Sequence, residues 1–229
     1  HEIENKKVLK KILINRYHQG DIYCDYYLLK HKLFEQTVKF INSKFIEVGS
    51  VKNNEIEITQ SIQTKYDIML ISQYRNHPYK FFGIYNPKIM NINDSAMWFV
   101  AKTISNFCEK NNKNFCIATT FNRADKKKYK IRDNEIDFYS SISNNFKIED
   151  IDSYNLSVKS KVIVTTYSTL GLELLSRGKR VLFLDPFHFL GGNYINMFTK
   201  ERSGSHWYAG HDQKIIFDKI KYLENLKEE

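Results

Sequence analysis

The sequence predicts an α/β fold in which one large domain spans residues 66–229. Short apolar runs of strand length, such as Ile68–Ile71 and Val162–Val164, alternate with longer segments whose apolar residues recur at helical spacing. Polar, turn-rich segments separate the two kinds of segment. Because strands joined through helices need crossover connections, we expect a Rossmann-like parallel sheet with helices on both faces.

Five strands are predicted in this domain, at residues 68–71, 115–118, 146–148, 161–165 and 180–184. Four helices connect or follow them. The first is expected to begin at Asn93 or Asp94 and the second at Asn134, because these side chains can cap a helix. The third spans residues 169–177. The last carries apolar residues at helical spacing, namely Ile216, Ile220, Leu223 and Leu226.

Residues 1–65 are less regular and are predicted to form a separate N-terminal segment. Tyr26–Ile41 is expected to be mostly helical, and Phe45–Val48 is expected to be a strand. The segment is shorter than an independent α/β domain of roughly 100 residues or more. We interpret it as an extension or as the remnant of another domain. His1 and the charged residues after it favour a tag remnant or a piece of a longer protein.

Composition limits the classes of function. Apolar residues make up 42% of the chain, which supports a hydrophobic core, yet no apolar run is long enough for a membrane span. With no signal-peptide pattern either, a cytoplasmic location is predicted. The net charge of +9 favours an anionic partner such as a nucleotide or the inner membrane surface. Nucleic acid is not predicted, because the lysines are not interleaved with aromatic residues.

The three cysteines do not indicate a metal site or a disulfide. Cys24, Cys108 and Cys116 contain no CxxC pair, and the last two lie in apolar patterns typical of buried free thiols. We therefore expect neither a disulfide nor a bound metal.

Lys161–Asp185 carries the most informative pattern in the chain, a strand, a hydroxyl-rich turn, a helix and a second strand. A helix N-terminus presents unpaired N–H groups and a positive dipole end, which together favour a phosphate. Gly171 would allow close approach where the helix begins. The hydroxyls of Ser168 and Thr169, in the hydroxyl-rich turn that begins at Thr166, are expected to hold a phosphate or diphosphate together with backbone amides. The alternative is that the hydroxyl residues are ordinary helix caps.

Glu173 and Arg123 are the other main candidates. Glu173 lies one helical turn after Thr169, where its carboxylate could accept hydrogen bonds from a ribose diol, or could simply be solvated. Arg123 follows the second strand and opens a basic loop. Its guanidinium can donate two hydrogen bonds to a phosphate, whereas the lysines after it are interpreted as a solvated loop.

Further candidates follow the carboxyl ends of the strands, where ligands bind on such sheets. Arg75, His77, Glu135, Tyr139, Gly191 and Gly192 are the residues concerned. Each also has an ordinary explanation as a loop, surface or turn residue. His18 and Asp21, near the N-terminus, have acid/base character and are candidates for deprotonating an acceptor hydroxyl, although a turn is the alternative there.

The Lys161–Asp185 segment resembles the C-terminal domain of GT-B glycosyltransferases, in particular those of bacterial surface carbohydrate and capsule biosynthesis. In that family a strand, a Ser/Thr-rich turn, a helix start bearing Glu and a Gly-Lys-Pro-Val sequence form the donor-nucleotide site. The matching residues here are Thr166, Ser168, Thr169, Gly171, Glu173, Gly178 and Lys179. Arg180 stands where the family often has proline. The resemblance extends from about Asp67 to the end of the chain.

The resemblance implies a metal-independent glycosyltransferase that uses a nucleotide sugar as co-substrate and needs no cofactor, with this chain supplying mainly the donor-binding half. Arg123 and Glu173 would then act on the donor, and His18 or Asp21 on a saccharide or lipid-linked saccharide acceptor in a remnant of the acceptor-side domain. A peripheral contact with the inner face of the cytoplasmic membrane is compatible with such an acceptor.

Two other functions stay open at this point. The polyol-phosphate transferases of teichoic acid assembly have a related pattern and use CDP-linked donors, but tend to carry Asp where this chain has Glu173. A nucleotide-binding module without catalysis is the second alternative.

Overall fold

A computed structural model describes residues 22–29, 41–48, 63–74, 79–81, 84–86, 92–120, 129–149, 151–187 and 201–226. Contacts between Cα atoms divide the chain into two compact units, His1–Glu57 and Ile58–Glu229. Among the described residues the first unit holds a two-stranded sheet, and the second holds a six-stranded sheet and a hairpin. The domain boundary between residues 65 and 66 stays a prediction.

The first unit contains the strands β1 (Ile22–Leu29) and β2 (Ile41–Glu47), which pair in parallel. The prediction of a helix over Tyr26–Ile41 is therefore wrong at both of its ends. The β1 sequence contains three tyrosines and an isoleucine, residue types that fit the pleated surface of a strand. The strand predicted at Phe45–Val48 corresponds to the second half of β2.

The second unit alternates strands and helices along the chain. Its elements are β3 (Tyr66–Ile71), β4 (Tyr79–Phe81), β5 (Ile84–Asn86), α1 (Ile92–Asn111), β6 (Phe115–Ala118), α2 (Tyr129–Ser140), β7 (Phe146–Ile148), α3 (Ser153–Val158), β8 (Ser160–Thr165), α4 (Thr169–Ser176), β9 (Val181–Leu184), β10 (Trp207–Tyr208) and α5 (Gln213–Asn225). The five predicted strands are all present as β3, β6, β7, β8 and β9.

The strand order of the main sheet is β10-β9-β8-β3-β6-β7, and every neighbouring pair is parallel. The chain starts at β3, adds β6 and β7 on one side, and then returns to add β8, β9 and β10 on the other side. This is the order of a doubly wound Rossmann-like sheet, so the predicted fold class is confirmed. The topological switch point lies between β3 and β8.

One face of the sheet is covered by α1, α2 and α5. Their buried side chains form a single core with alternate strand residues, among them Leu70, Ile117, Val164 and Leu182. The rings of Phe107 in α1 and Phe217 in α5 meet edge to face, with centroids 5.2 Å apart. The C-terminal helix is thereby part of the main core.

The other face is covered by α3 and α4. Thr165 and Phe183 are sequence neighbours of Val164 and Leu182, so their side chains point to this second face. Both lie against Gly171 of α4. The hydroxyl of Ser160 at the start of β8 donates to the carbonyl of Leu156 in α3 at 2.8 Å, which ties α3 to the same strand.

Several element boundaries and short elements differ from the prediction. The first two helices begin at Ile92 and Tyr129, so Asn93, Asp94 and Asn134 lie inside helices and do not cap them. Asn and Asp are tolerated inside a helix when their side chains find other partners, so a capping residue type alone does not locate a helix start. The hairpin of β4 and β5, the helix α3 and the strand β10 were not predicted, because such short elements carry little periodicity.

The described cysteines are buried free thiols, as expected for Cys108 and Cys116. Burial is the main cause that raises the pKa of each thiol to about 12, so both are neutral at physiological pH. The side chain of Cys24 lies outside the described residues. Within the part of the chain that the structure describes, no helix is long and apolar enough to cross a membrane.

Candidate functional site

The carboxyl ends of β3 and β8 lie side by side at the switch point. Leu70 pairs with Val164 in the register of these strands, and Ser72 and Thr166 each follow two residues later. The two segments Ser72–Tyr74 and Thr166–Ser168 are therefore level with each other, and we call them together the switch-point edge. In open α/β sheets this is the position at which ligands bind.

The β8 side of the switch-point edge consists of hydroxyl residues at the start of α4. Thr166 is only 4% exposed, and its Oγ1 has no hydrogen-bond partner among the described residues. Ser168 is the N-cap of α4, but its side chain makes no capping hydrogen bond. Instead the Ser168 amide donates to Thr165 Oγ1 at 3.4 Å. Thr169 begins the helix and is exposed.

Gly171 brings α4 close to the sheet. A Cβ atom at this position would lie 2.7 Å from Thr165 Cγ2 and 3.2 Å from two ring atoms of Phe183. Thr165 is fully buried and its side chain is β-branched, so it has little freedom to move away. Glycine therefore sets the distance between the N-terminal turn of α4 and the end of β8.

A hydrogen-bond network joins the β3 side of the edge to the loop after β6. Both carboxylate oxygens of Glu135 accept from the Thr120 amide, at 3.0 and 3.1 Å. The Tyr139 hydroxyl donates to Ser72 Oγ at 2.7 Å, and the Tyr74 amide donates to the same oxygen at 3.2 Å. Glu135 and Tyr139 are both 0% exposed, so a direct contact with a ligand would require these hydrogen bonds to be exchanged.

Two tyrosines beside this network are held in the protonated form. Burial first, and then the carboxylates of Asp94, Glu135 and Asp137, raise the pKa of Tyr74 to about 12. Burial raises the pKa of Tyr139 well above its ordinary value and outweighs the hydrogen bond to Ser72, which acts in the opposite direction. Both phenols are therefore hydrogen-bond donors at physiological pH.

Glu173 lies one turn into α4 and is half-buried. Its Oε2 accepts a hydrogen bond from the hydroxyl of Tyr154 in α3. The contact connects the two helices that cover the second face of the sheet. Glu173 itself lies about 6 Å along the helix axis from Thr169, the first residue of α4.

A family model described as "putative O-antigen biosynthesis protein" matches residues 11–229, which is nearly the whole chain. The chain belongs to this family. No individually curated protein matches the chain. Because O-antigen is a surface polysaccharide, family membership indicates a role in surface-polysaccharide synthesis.

In this chain the switch-point edge offers chemistry that suits an anion. Hydroxyl groups of Thr166 and Ser168 lie beside a helix N-terminus, where unpaired amides and the positive end of the dipole attract negative charge. Across the described residues, no group of three or more His, Cys, Asp or Glu side chains is arranged to hold a metal ion.

The structure brings some of the predicted site residues together and does not describe the others. Thr166, Ser168, Thr169, Gly171 and Glu173 lie along the turn and the first half of α4, while Glu135 and Tyr139 lie beneath the β3 side of the edge. Seven predicted residues lie outside the described residues and stay predictions, namely His18, Asp21, Arg75, His77, Arg123, Gly191 and Gly192.

Three residues of the site were not singled out from the sequence. Ser72 accepts from two partners, Thr120 is held by Glu135, and Tyr154 contacts Glu173. One sequence feature could have identified Ser72 and Thr120 as site residues, because each follows a predicted strand at the ligand-binding edge. No sequence feature identifies Tyr154, because it contacts Glu173 in another helix, 19 residues away in sequence.

Proposed function

We propose that this chain is a metal-independent glycosyltransferase of GT-B type that supplies mainly the donor-binding half for a nucleotide sugar. The observation that carries the proposal is the buried Oγ1 of Thr166 beside the N-terminus of α4, which has no hydrogen-bond partner within the described part of the chain. Leaving a buried hydroxyl unpaired costs about 1–3 kcal/mol in proteins. A phosphate oxygen bound there would provide the missing partner.

The proposed phosphate site combines side chains with the end of the helix. Hydrogen bonds to the phosphate come from the hydroxyl groups of Thr166, Ser168 and Thr169. The backbone amides of the first turn of α4 donate hydrogen bonds to the same phosphate. Gly171 keeps this turn close to the end of β8. Arg123, carried over from the resemblance, would neutralise the departing phosphate with two hydrogen bonds.

The rest of the donor would extend from this phosphate along the switch-point edge. Glu173 accepts hydrogen bonds from the ribose hydroxyls. The resemblance and the position after strands make Arg75, His77, Gly191 and Gly192 further donor contacts. Glu135 and Tyr139 hold Thr120 and Ser72 at the β3 side of the edge.

The proposed reaction is a displacement at the anomeric carbon. The acceptor oxygen forms a bond to that carbon, while the bond from the carbon to the phosphate oxygen breaks and its electron pair leaves with the nucleotide. The proton of the acceptor hydroxyl passes to a general base on the acceptor-binding side, for which His18 and Asp21 are the candidates from the sequence. Positioning of the two substrates and stabilisation of the departing charge lower most of the barrier.

Thr166→Val tests the phosphate site, because valine keeps the shape and removes the hydroxyl. We expect the free energy of unfolding to stay equal or to rise, since an unpartnered buried hydroxyl is removed. Nucleotide affinity is expected to fall by about 1.5–3 kcal/mol, as a hydrogen bond to a charged group is lost. Urea denaturation and calorimetry with UDP, GDP, CMP and CDP measure the two quantities.

Thr103→Val is the matched control. Thr103 lies in α1 and also has a buried Oγ1 without a hydrogen-bond partner among the described residues. The control should change stability in the same direction and leave nucleotide affinity unchanged. If Thr166→Val binds every nucleotide as tightly as the native protein does, Thr166 does not contact the phosphate.

Turnover with labelled donors tests the reaction itself. The protein is expected to consume a UDP-, GDP- or CMP-linked sugar in the presence of a saccharide acceptor, with EDTA having no effect. Transfer of phosphate together with a polyol from a CDP-linked donor would instead identify a polyol-phosphate transferase. Nucleotide binding with no turnover of any donor would indicate a binding module.

A further inference from the structure

The Tyr154 side chain contacts the proposed ribose-binding carboxylate from a different element of the fold, and Tyr154 was not a candidate from the sequence. We propose that Tyr154 is a positioning residue that orients the Glu173 carboxylate toward the ribose of the donor. The inference rests on the proposed function, because it assumes that Glu173 binds ribose.

The contact itself is a hydrogen bond between two helices. The Tyr154 hydroxyl donates to Glu173 Oε2, and Tyr154 is only 7% exposed. Burial first, and then the Glu173 carboxylate, raise the pKa of Tyr154, so the phenol keeps its proton and remains a donor at physiological pH. A carboxylate has about four lone-pair sites, so one bond to Tyr154 does not exhaust its capacity to accept ribose hydroxyls.

The Tyr154 backbone is held in place independently of Glu173. Asp152 is the N-cap of α3, and its Oδ1 accepts from the amides of Tyr154 at 3.0 Å and Asn155 at 3.1 Å. The C-terminal end of α3 is tied to β8 through the bond from Ser160 Oγ to the Leu156 carbonyl. The phenol is therefore presented by a helix that is capped at its N-terminus and hydrogen-bonded to β8 near its C-terminus.

This arrangement can reduce the cost of ordering a long side chain on binding. A glutamate side chain loses rotamer entropy when it is fixed. Part of that loss has already occurred if the carboxylate is held before the ligand arrives. The orientation matters most for recognition of the ribose diol, because two hydroxyl groups must be matched at once. Discrimination between ribose and deoxyribose is therefore the property that Tyr154 should control.

The experiment compares the affinity of Tyr154→Phe for a nucleoside diphosphate and for its 2′-deoxy and 3′-deoxy forms, using the base that the native protein binds best. The native protein should prefer the ribo form. Tyr154→Phe should lower the ratio of the deoxy dissociation constant to the ribo dissociation constant by about 3- to 10-fold, the loss expected for one orienting hydrogen bond. Glu173→Gln should lower the same ratio, and the double variant should lose no more than the more affected single variant.

Tyr66→Phe is the matched control, because Tyr66 is also buried and its hydroxyl also donates to a carboxylate, that of Glu149. It should lower stability and leave the deoxy-to-ribo ratio of dissociation constants unchanged. An unchanged ratio in Tyr154→Phe, with a reduced ratio in Glu173→Gln, overturns the positioning role and leaves the donor site intact. A native protein that binds no nucleotide, or that does not discriminate between ribose and deoxyribose, overturns the assignment of Glu173 as well.

Discussion

Phe107→Ala is expected to lower the free energy of unfolding by about 3–5 kcal/mol, the usual loss for a large aromatic side chain removed from a core. Phe107 is 0% exposed and packs against Phe217, so the substitution leaves a cavity between α1 and α5. The surrounding helices are anchored along their length by other buried residues and cannot fully collapse into that space. Denaturation by urea, monitored by circular dichroism, measures the change.

Trp98→Ala is the control on the same helix. Trp98 is 42% exposed, so its removal uncovers much less buried surface and should lower stability by a far smaller amount. Similar losses for the two variants would contradict the placement of α5 against α1. A small loss of stability in Phe107→Ala would also contradict that placement.

Gly171→Ala is expected to destabilise the protein by about 1–3 kcal/mol, although the same substitution inside an ordinary helix stabilises it by about 1 kcal/mol. The sign reverses because the new methyl group would lie 2.7 Å from Thr165 Cγ2. To relieve this contact, α4 must move away from β8, and its N-terminal turn moves with it. Nucleotide affinity should therefore fall together with stability.

A second substitution tests whether that contact is the cause. Thr165→Ser removes Cγ2 and keeps the hydroxyl that accepts from the Ser168 amide. In the double variant Gly171→Ala/Thr165→Ser, most of the lost stability and affinity should return. Strictly additive losses in the double variant would show that the close approach of Gly171 to Thr165 is unimportant.

The sequence predicted those features that depend on neighbouring residues along the chain. The apolar runs that became β3, β6, β8 and β9 are nearly continuous, because parallel strands are buried on both faces. The turn and helix start at Thr166–Gly171 were recognisable from hydroxyl residues followed by glycine. Each of these patterns spans only a few residues, so it can be recognised in the sequence without knowledge of the fold.

Local patterns predicted the structure less well where tertiary packing determines the type of an element or the residue at which it begins. Tyr26–Leu29 was assigned to a helix and forms a strand, because the same apolar residues can match either period over such a short run. The starts of α1 and α2 were placed too late for a related reason, since Asn93 and Asn134 resemble caps but lie within helices.

The order of the strands was decided only in three dimensions. No local pattern predicts that β8 pairs with β3. That pairing creates the switch point and brings Ser72 level with Thr166. The contact between Tyr154 and Glu173 likewise depends on α3 and α4 covering the same face of the sheet. Periodicity is a property of adjacent residues and therefore identifies the elements, whereas a binding site is formed by residues that meet only after those elements have packed.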